Sequence, residues 1–213
     1  MSLLLNVPPT EKAYAMSLGV LWDQVAQTCY LPEGQYDRLT AVEQWIPEKH
    51  PAIILPSEIT TVHAVAACPK CQCDNRVVAL AGNYFFEKDV NDRDEAVWLA
   101  QDFFTLFQQV SALSDNLRVF LKEHYPHFKQ SWSDTAEGHF WYNHCEHCQH
   151  IQDDWFLFEE AGSIFHPVEK EAAGKLRLRH FTLKYAPIID AVYSLGDQLR
   201  LINEFAERPP AVE

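Results

Sequence analysis

Apolar positions recur along the chain in two rhythms, and each rhythm names an element. Short β-rich runs bounded by turn residues predict strands over residues 3–7, at Trp22-Asp23, over 28–32, 59–66, 76–81, 138–143 and 154–158. Steps of three and four predict helices elsewhere. After Pro8-Pro9, Thr10 offers an N-cap ahead of Glu11, with Ala13, Met16, Ser17 and Val20 at helical spacing and Gly19 as terminator. From Tyr36 to Trp45, apolar residues repeat through Leu39, Val42 and Ile46, and the segment ends at Pro47.

The longest such rhythm lies mid-chain. Residues 95–113 place Leu99, Phe103, Leu106, Val110 and Leu113 at steps of four, three, four and three, which predicts one face of a helix. Ser114-Asp115-Asn116 then supplies a break and a new cap, and Leu117, Phe120, Leu121 and Tyr125 continue a second helix to Pro126. An antiparallel helical pair follows from this pattern, with Trp98, Phe103, Phe104 and Phe107 as core rather than pocket lining. Near the end, Pro187 opens a helix in which Ile188, Val192, Leu195, Leu199, Ile202 and Phe205 recur, and Pro209-Pro210 closes it.

These elements predict an α+β protein. Residues 1–47 form a small α+β module, and 48–58 a linker stiffened by Pro51 and Pro56. Residues 59–208 form a zinc-ribbon-like β domain, with a helical hairpin inserted at about 87–135 and a C-terminal helix.

Composition narrows the class. An apolar fraction of 47% with 13 Phe, 8 Tyr and 6 Trp, and only 7 Gly, specifies a folded globular chain of 213 residues. A formal charge of −13 opposes general attraction to phosphate backbones, so a nucleic-acid contact requires a local basic face. No basic leader precedes an apolar run, and no stretch of roughly 18 apolar residues occurs, which sets the expectation of a cytoplasmic protein without membrane association.

Two tight cysteine pairs carry the clearest chemistry, Cys68-Pro69-Lys70-Cys71 and Cys145-Glu146-His147-Cys148. A C-x-x-C turn holds two sulfurs on one side of a loop, and two such turns complete the tetrahedron that zinc prefers. The expected ligands are therefore Cys68, Cys71, Cys145 and Cys148 on a structural zinc. Cys73, His144, His147 and His150 stand close enough to replace one of them, so an all-cysteine set and a set of three cysteines with one histidine both remain open. Strand-like segments flank both pairs, so residues 59–158 resemble a zinc ribbon split by an insertion. A dithiol redox pair would instead open a helix.

Catalytic patterns are missing from the sequence. His144-Cys145-Glu146 lacks the following Pro-Cys-x-x-Cys of zinc deaminases, and no His-Glu-x-x-His, phosphate-binding glycine loop or Gly-x-Ser-x-Gly occurs. His63, His139 and His180 read as structural or surface residues. Acidic residues around 89–95 and 153–160 read as solvated faces, the second mixed with Trp155, Phe156 and Phe158 as a candidate partner surface. Lys175, Arg177 and Arg179 alternate with leucine, so a strand there would present three cations on one face, and Lys184 follows.

The amino-terminal stretch carries a resemblance. Leu5-Asn6-Val7-Pro8, Glu11-Lys12, Leu18-Gly19, Trp22-Asp23, Tyr30-Leu31-Pro32 and Trp45 match, in order and spacing, a small bacterial domain of unknown function attached to plasmid-type primases and other mobile-element DNA-processing proteins, which this stretch therefore resembles. Val20 and Leu21 stand where that family has a small-basic pair, and Cys29 where an aromatic is common. The resemblance implies an association with DNA processing. Packing alone also accounts for Trp22, Tyr30 and Trp45 as anchors of a small module.

Two functional expectations follow. One is a non-enzymatic, zinc-binding bacterial interaction protein of adaptor, immunity or anti-defence type, whose acidic surface meets a basic protein partner. The other is a nucleic-acid-associated module with Lys175, Arg177, Arg179 and Lys184 on phosphates. An unrecognised enzyme would need a pocket joining carboxylates or histidines to an open metal position.

Overall fold

The computed structural model describes residues 2–47 and 53–209. The fold is α+β, built on three antiparallel sheets. At the amino terminus β1 (Ser2–Leu5), β2 (Leu21–Asp23) and β3 (Thr28–Pro32) form a three-stranded sheet in the order β1-β3-β2, and α1 (Lys12–Ser17) connects β1 to β2. Gly19 ends that connection at φ 91°, a left-handed conformation that glycine adopts without steric cost. Short helical turns follow, with α2 (Leu39–Val42) at their centre. They bury Tyr36, Leu39, Val42 and Trp45.

The main body is an eight-stranded sheet. Its members are β4 (Ile53–Ile54), β5 (Glu58–Ala67), β6 (Asp74–Gly82), β7 (Phe85–Val90), β8 (Ala96–Gln101), β9 (Thr105–Leu113), β13 (Arg177–Thr182) and β14 (Ile188–Tyr193). They lie in the order β13-β5-β6-β9-β14-β4-β7-β8. A second small sheet, β10 (Phe128–Ser133), β11 (Gly138–His144) and β12 (Ile151–Gln152), packs beside it.

Both faces of the large sheet are covered, and β6 shows how. Val78 and Leu80 point to a core shared with Leu117, Phe120 and Leu121 of α3 (Asp115–His124). Val77, Ala79 and Ala81 point the other way, to Leu157, Phe165, Leu176 and, from α5 (Asp197–Phe205), Leu199 and Ile202. A strand buried on both sides reads as a continuous apolar run. The amino-terminal sheet closes a third core in which Leu3, Leu5, Leu31 and Trp45 meet Ile54 and Ile188, with Phe86 and Trp98 packed against them.

Several expected elements are replaced. Residues 95–113 form β8 and β9 rather than a helix, so the insertion at 87–135 is mostly strand and contributes one helix, α3. The cause is an irregularity in β9. Ala112 opposes Asp190 while Gln108 opposes Val192, so four steps on β9 match two on β14, and Gln109 takes φ 50°. Phe107, Val110 and Leu113 therefore reach one core at steps of three, which imitates a helix.

The helix expected from Pro187 divides in the same way. Residues 188–193 form β14 between β9 and β4, Gly196 turns the chain at φ 135°, and only then does α5 begin. Val192 and Leu195 consequently lie exposed.

The strand expected at 154–158 is a π-helical turn, Trp155–Glu159, and the exit from the second cysteine pair is the two-residue β12. Thr10 lies within a 3-10 turn, and α1 has no side-chain cap. The expected linker at 48–58 falls partly outside the described residues. Its remainder includes β4, where Ile53 and Ile54 are buried in the large sheet between β14 and β7.

Because the amino-terminal residues share a core with Ile54 and Ile188, they should not unfold separately. Ile188→Ala is expected to destabilise the whole chain by about 2–5 kcal/mol. In a denaturant titration, tryptophan fluorescence and far-ultraviolet circular dichroism should still move together. Two separated transitions in the wild type would contradict the shared core.

Candidate metal centre

The β5–β6 hairpin carries Cys68 and Cys71 at its tip, and the turn from β11 to β12 carries Cys145 and Cys148. Their four sulfurs all lie within 4.8 Å of one another. Cys68 Sγ is 3.7 Å from Cys148 Sγ, and Cys71 Sγ is 3.6 Å from Cys145 Sγ. A disulfide needs about 2.05 Å, so these are separate sulfurs. A zinc–sulfur distance of about 2.3 Å gives a tetrahedron with edges of roughly 3.8 Å, which the spacing fits.

The two turns are built alike. The Cys68 amide donates to Cys73 O at 2.9 Å, and the Cys145 amide to His150 O at 2.9 Å. The next residue after each pair, Gln72 or Gln149, donates its amide to the carbonyl of Cys68 or Cys145 and takes φ 61° or 59°. Each glutamine side chain then folds back onto its own turn, Gln72 Nε2 to Pro69 O at 3.1 Å and Gln149 Nε2 to Glu146 O at 3.4 Å. The repeated C-x-x-C-Q is the sequence signal for this equivalence, and cysteine spacing alone does not reveal it.

Polar bonds lock the halves together. Asn75 Oδ1 accepts from the Glu146 amide at 2.7 Å, and Arg76 Nε donates to Glu146 Oε1 at 2.8 Å. Buried Asn143 acts as a strand partner for Val78, accepting from its amide and donating to its carbonyl, both at 2.9 Å.

Ionisation of the thiols is unequal. Amides of Cys148 and His147, with the neighbouring sulfurs, outweigh desolvation and bring the Cys145 thiol down to about 6. The Cys73 amide pulls on Cys71 too, but desolvation and the three other sulfurs push it up to about 12. Four thiolates cannot gather here without a cation.

The reserve ligands point elsewhere. His144 is buried, with Nδ1 2.9 Å from Tyr142 O and Nε2 2.8 Å from Ser131 Oγ, so both nitrogens are engaged. Cys73 is exposed, its sulfur 3.7 Å from Cys71 O, and neither His147 nor His150 belongs to the sulfur cluster.

The other expected site residues separate. Lys175, Arg177 and Arg179 line one groove of about 390 Å³, together with His63 and Arg76. Lys184 is not part of it, being paired with Asp23 at 2.9 Å beside Tyr185. Trp155 and Phe156 are exposed, whereas Phe158 packs in the core against Phe165, because the π-helical turn rotates it inward. His139 stacks edge-on against Trp132, and His180 Nδ1 lies 3.0 Å from Thr60 Oγ1.

His63 has more structure around it than a surface histidine. Its Nε2 lies 2.9 Å from Thr61 Oγ1 and 3.0 Å from Tyr125 OH. Burial, reinforced by the charges of Arg179 and Arg177, lowers its pKa to about 4.

No family model, curated protein or solved structure matches this chain. Four gathered cysteines able to bind a metal therefore define the site on geometry alone, and no described helix is long and apolar enough to cross a membrane.

Two outcomes are expected. First, Cys145→Ser should lower the melting temperature and the bound metal read by mass spectrometry, while His144→Gln should retain the metal. Second, His63 is neutral in the fold but protonates near pH 6.5 when unfolded, so its contribution to stability is complete above about pH 6.5 and is lost as pH falls towards about 4. Urea titrations across that window should show a shallower pH slope for His63→Gln than for wild type.

Proposed function

We propose that the protein works by binding rather than by catalysis, as a zinc-stapled interaction protein of adaptor, immunity or anti-defence type. The supporting observation is the closed set of four sulfurs held by two equivalent turns, which satisfies zinc without an open position for water or substrate. A basic protein partner suits the −13 charge. The exposed pair Trp155 and Phe156, beside exposed Asp153 and Glu159, offers aromatic anchors within an acidic rim.

Affinity capture from a bacterial lysate, followed by interferometry on the captured protein, tests this reading. Binding should weaken as salt rises, and Trp155→Ala should cost about tenfold or more in affinity. Salt-insensitive binding that ignores Trp155 would refute the surface.

The nucleic-acid reading is favoured by one observation, the convergence of Lys175, Arg177 and Arg179 on a single groove. It accords with the resemblance of the amino-terminal residues to domains of DNA-processing proteins. Replacing all three with glutamine should flatten the salt dependence of any gel shift, and a wild type that gives no shift at low salt ends that reading.

A further inference from the structure

Next to the groove, and sharing His63, Arg76 and Arg179 with it, lies a cavity of about 180 Å³. His124, Tyr125, His127, Asn143 and Glu146 complete its polar lining. It sits between the large sheet and the loop after α3, with Glu146 of the second cysteine turn at one end. Arg179 is its unusual member.

The other arginines near the cavity have partners. Arg76 is paired with Glu146 at 2.8 Å, and Arg177 with Glu207 at 2.8 Å. Arg179 forms no ion pair among the described residues, and its Nε is buried without a hydrogen-bond partner. That nitrogen loses solvation without recovering it, and an anion in the cavity would supply both a charge partner and a hydrogen-bond acceptor.

We propose that this cavity binds a phosphate monoester group, with Arg179 as its principal contact. Charge favours phosphate over a single carboxylate. Arg76, Arg177, Arg179 and Lys175 are offset here by Glu146 and Glu207 alone, which leaves two positive charges for a dianion. A phosphate monoester carries about −1.5 to −2 near neutral pH. Imidazole groups of His124 and His127 add polar atoms to the lining.

Glu146 would repel an anion at its own end of the cavity. It is held by Arg76 and lies 4.0 Å from His127 Nε2, so the phosphate belongs at the Arg179 end. There the cavity opens to the larger groove, where Val65 and Ile164 offer apolar surface for the organic body of the ester. The same phosphate chemistry could come from a free nucleotide or from the 5′ end of a nucleic-acid strand. The inference deepens the nucleic-acid reading of the groove in the second case, and its principal contact, Arg179, lies on β13 outside the cysteine turns.

The zinc-loaded full-length protein is titrated with inorganic phosphate at constant ionic strength, following the imidazole proton resonances and the phosphorus line. Saturable shifts of His63, His124 and His127 are expected. Arg179→Gln should weaken binding about tenfold or more, while Arg118→Gln on α3 should leave it unchanged. Circular dichroism and metal content on the same samples show whether each variant is folded, so loss of the zinc staple is read separately from loss of the anion site. If Arg179→Gln fails to fold, Arg179→Lys, which keeps the charge and loses the fork, should still weaken phosphate.

Two further ligands identify the source. Tighter binding of a nucleoside monophosphate than of phosphate supports a small-molecule ester. A 5′-phosphorylated oligonucleotide binding better than its unphosphorylated twin supports a strand end. Absence of saturable shifts in the wild type, or an Arg179→Gln protein that binds phosphate as the wild type does, overturns the proposal.

Discussion

Four sulfurs brought within 4.8 Å of one another are the constraint on which the middle of this molecule depends. Without a cation they repel as thiolates, and with one they tie the tip of the β5–β6 hairpin to the turn between β11 and β12. The chain between Cys71 and Cys145 is long, but closure entropy grows only with the logarithm of length, and most of that segment is already fixed in β7 to β10 and α3. What a bound metal would add is alignment. Asn75, Arg76, Val78 and Asn143 all bond across the junction close to the sulfurs, and none of those bonds survives a shift of one turn against the other.

The large sheet carries that alignment outward. Its strand β6 is buried on both faces, so a displacement at the hairpin tip is felt in the α3 core and in the α5 core together. A second junction lies at the irregularity in β9, where the Gln109 amide donates to Asp154 Oδ2 at 2.5 Å. Burial pushes the Asp154 carboxyl up to about 6, and this bond fixes the start of the π-helical turn that exposes Trp155 while inserting Leu157 into the core. The exposed aromatic pair is thus positioned by the sheet rather than by a free loop.

How far the sequence disclosed this architecture depended on whether one residue type served one purpose. Cys68, Cys71, Cys145 and Cys148 were legible because thiolate pairs at that spacing have few other uses, and β5, β6 and β11 because their runs are short and turn-bounded. β9 was not, since a step of three between Phe107 and Val110 follows equally from a helix or from a strand with extra residues. The Ile188 segment failed similarly: two adjacent β-branched residues, one buried in each of two cores, indicate a doubly covered strand, but the more distant Leu199 and Ile202 fall in phase with them. Gly196 was the available signal. The expected linker misled because Pro51 and Pro56 flank Ile53-Ile54, and a two-residue strand carries no period.

Acidity and the Arg179 cavity also belong to one argument. The chain has 30 acidic residues against 17 lysines and arginines, so a cation without a carboxylate partner cannot be ascribed to a shortage of carboxylates. Several cations here are paired with carboxylates, mostly at the surface, where such pairs contribute little and side chains find them readily. Arg179 instead lies on β13 opposite Thr61 of β5, in the same cavity lining as His63, whose burial keeps it neutral. Thr61 and Tyr125 hydroxyls hold that imidazole in place. Folding alone gains nothing from a partly buried guanidinium beside a cavity, whereas a bound oxyanion turns the same arrangement into a stabilising one.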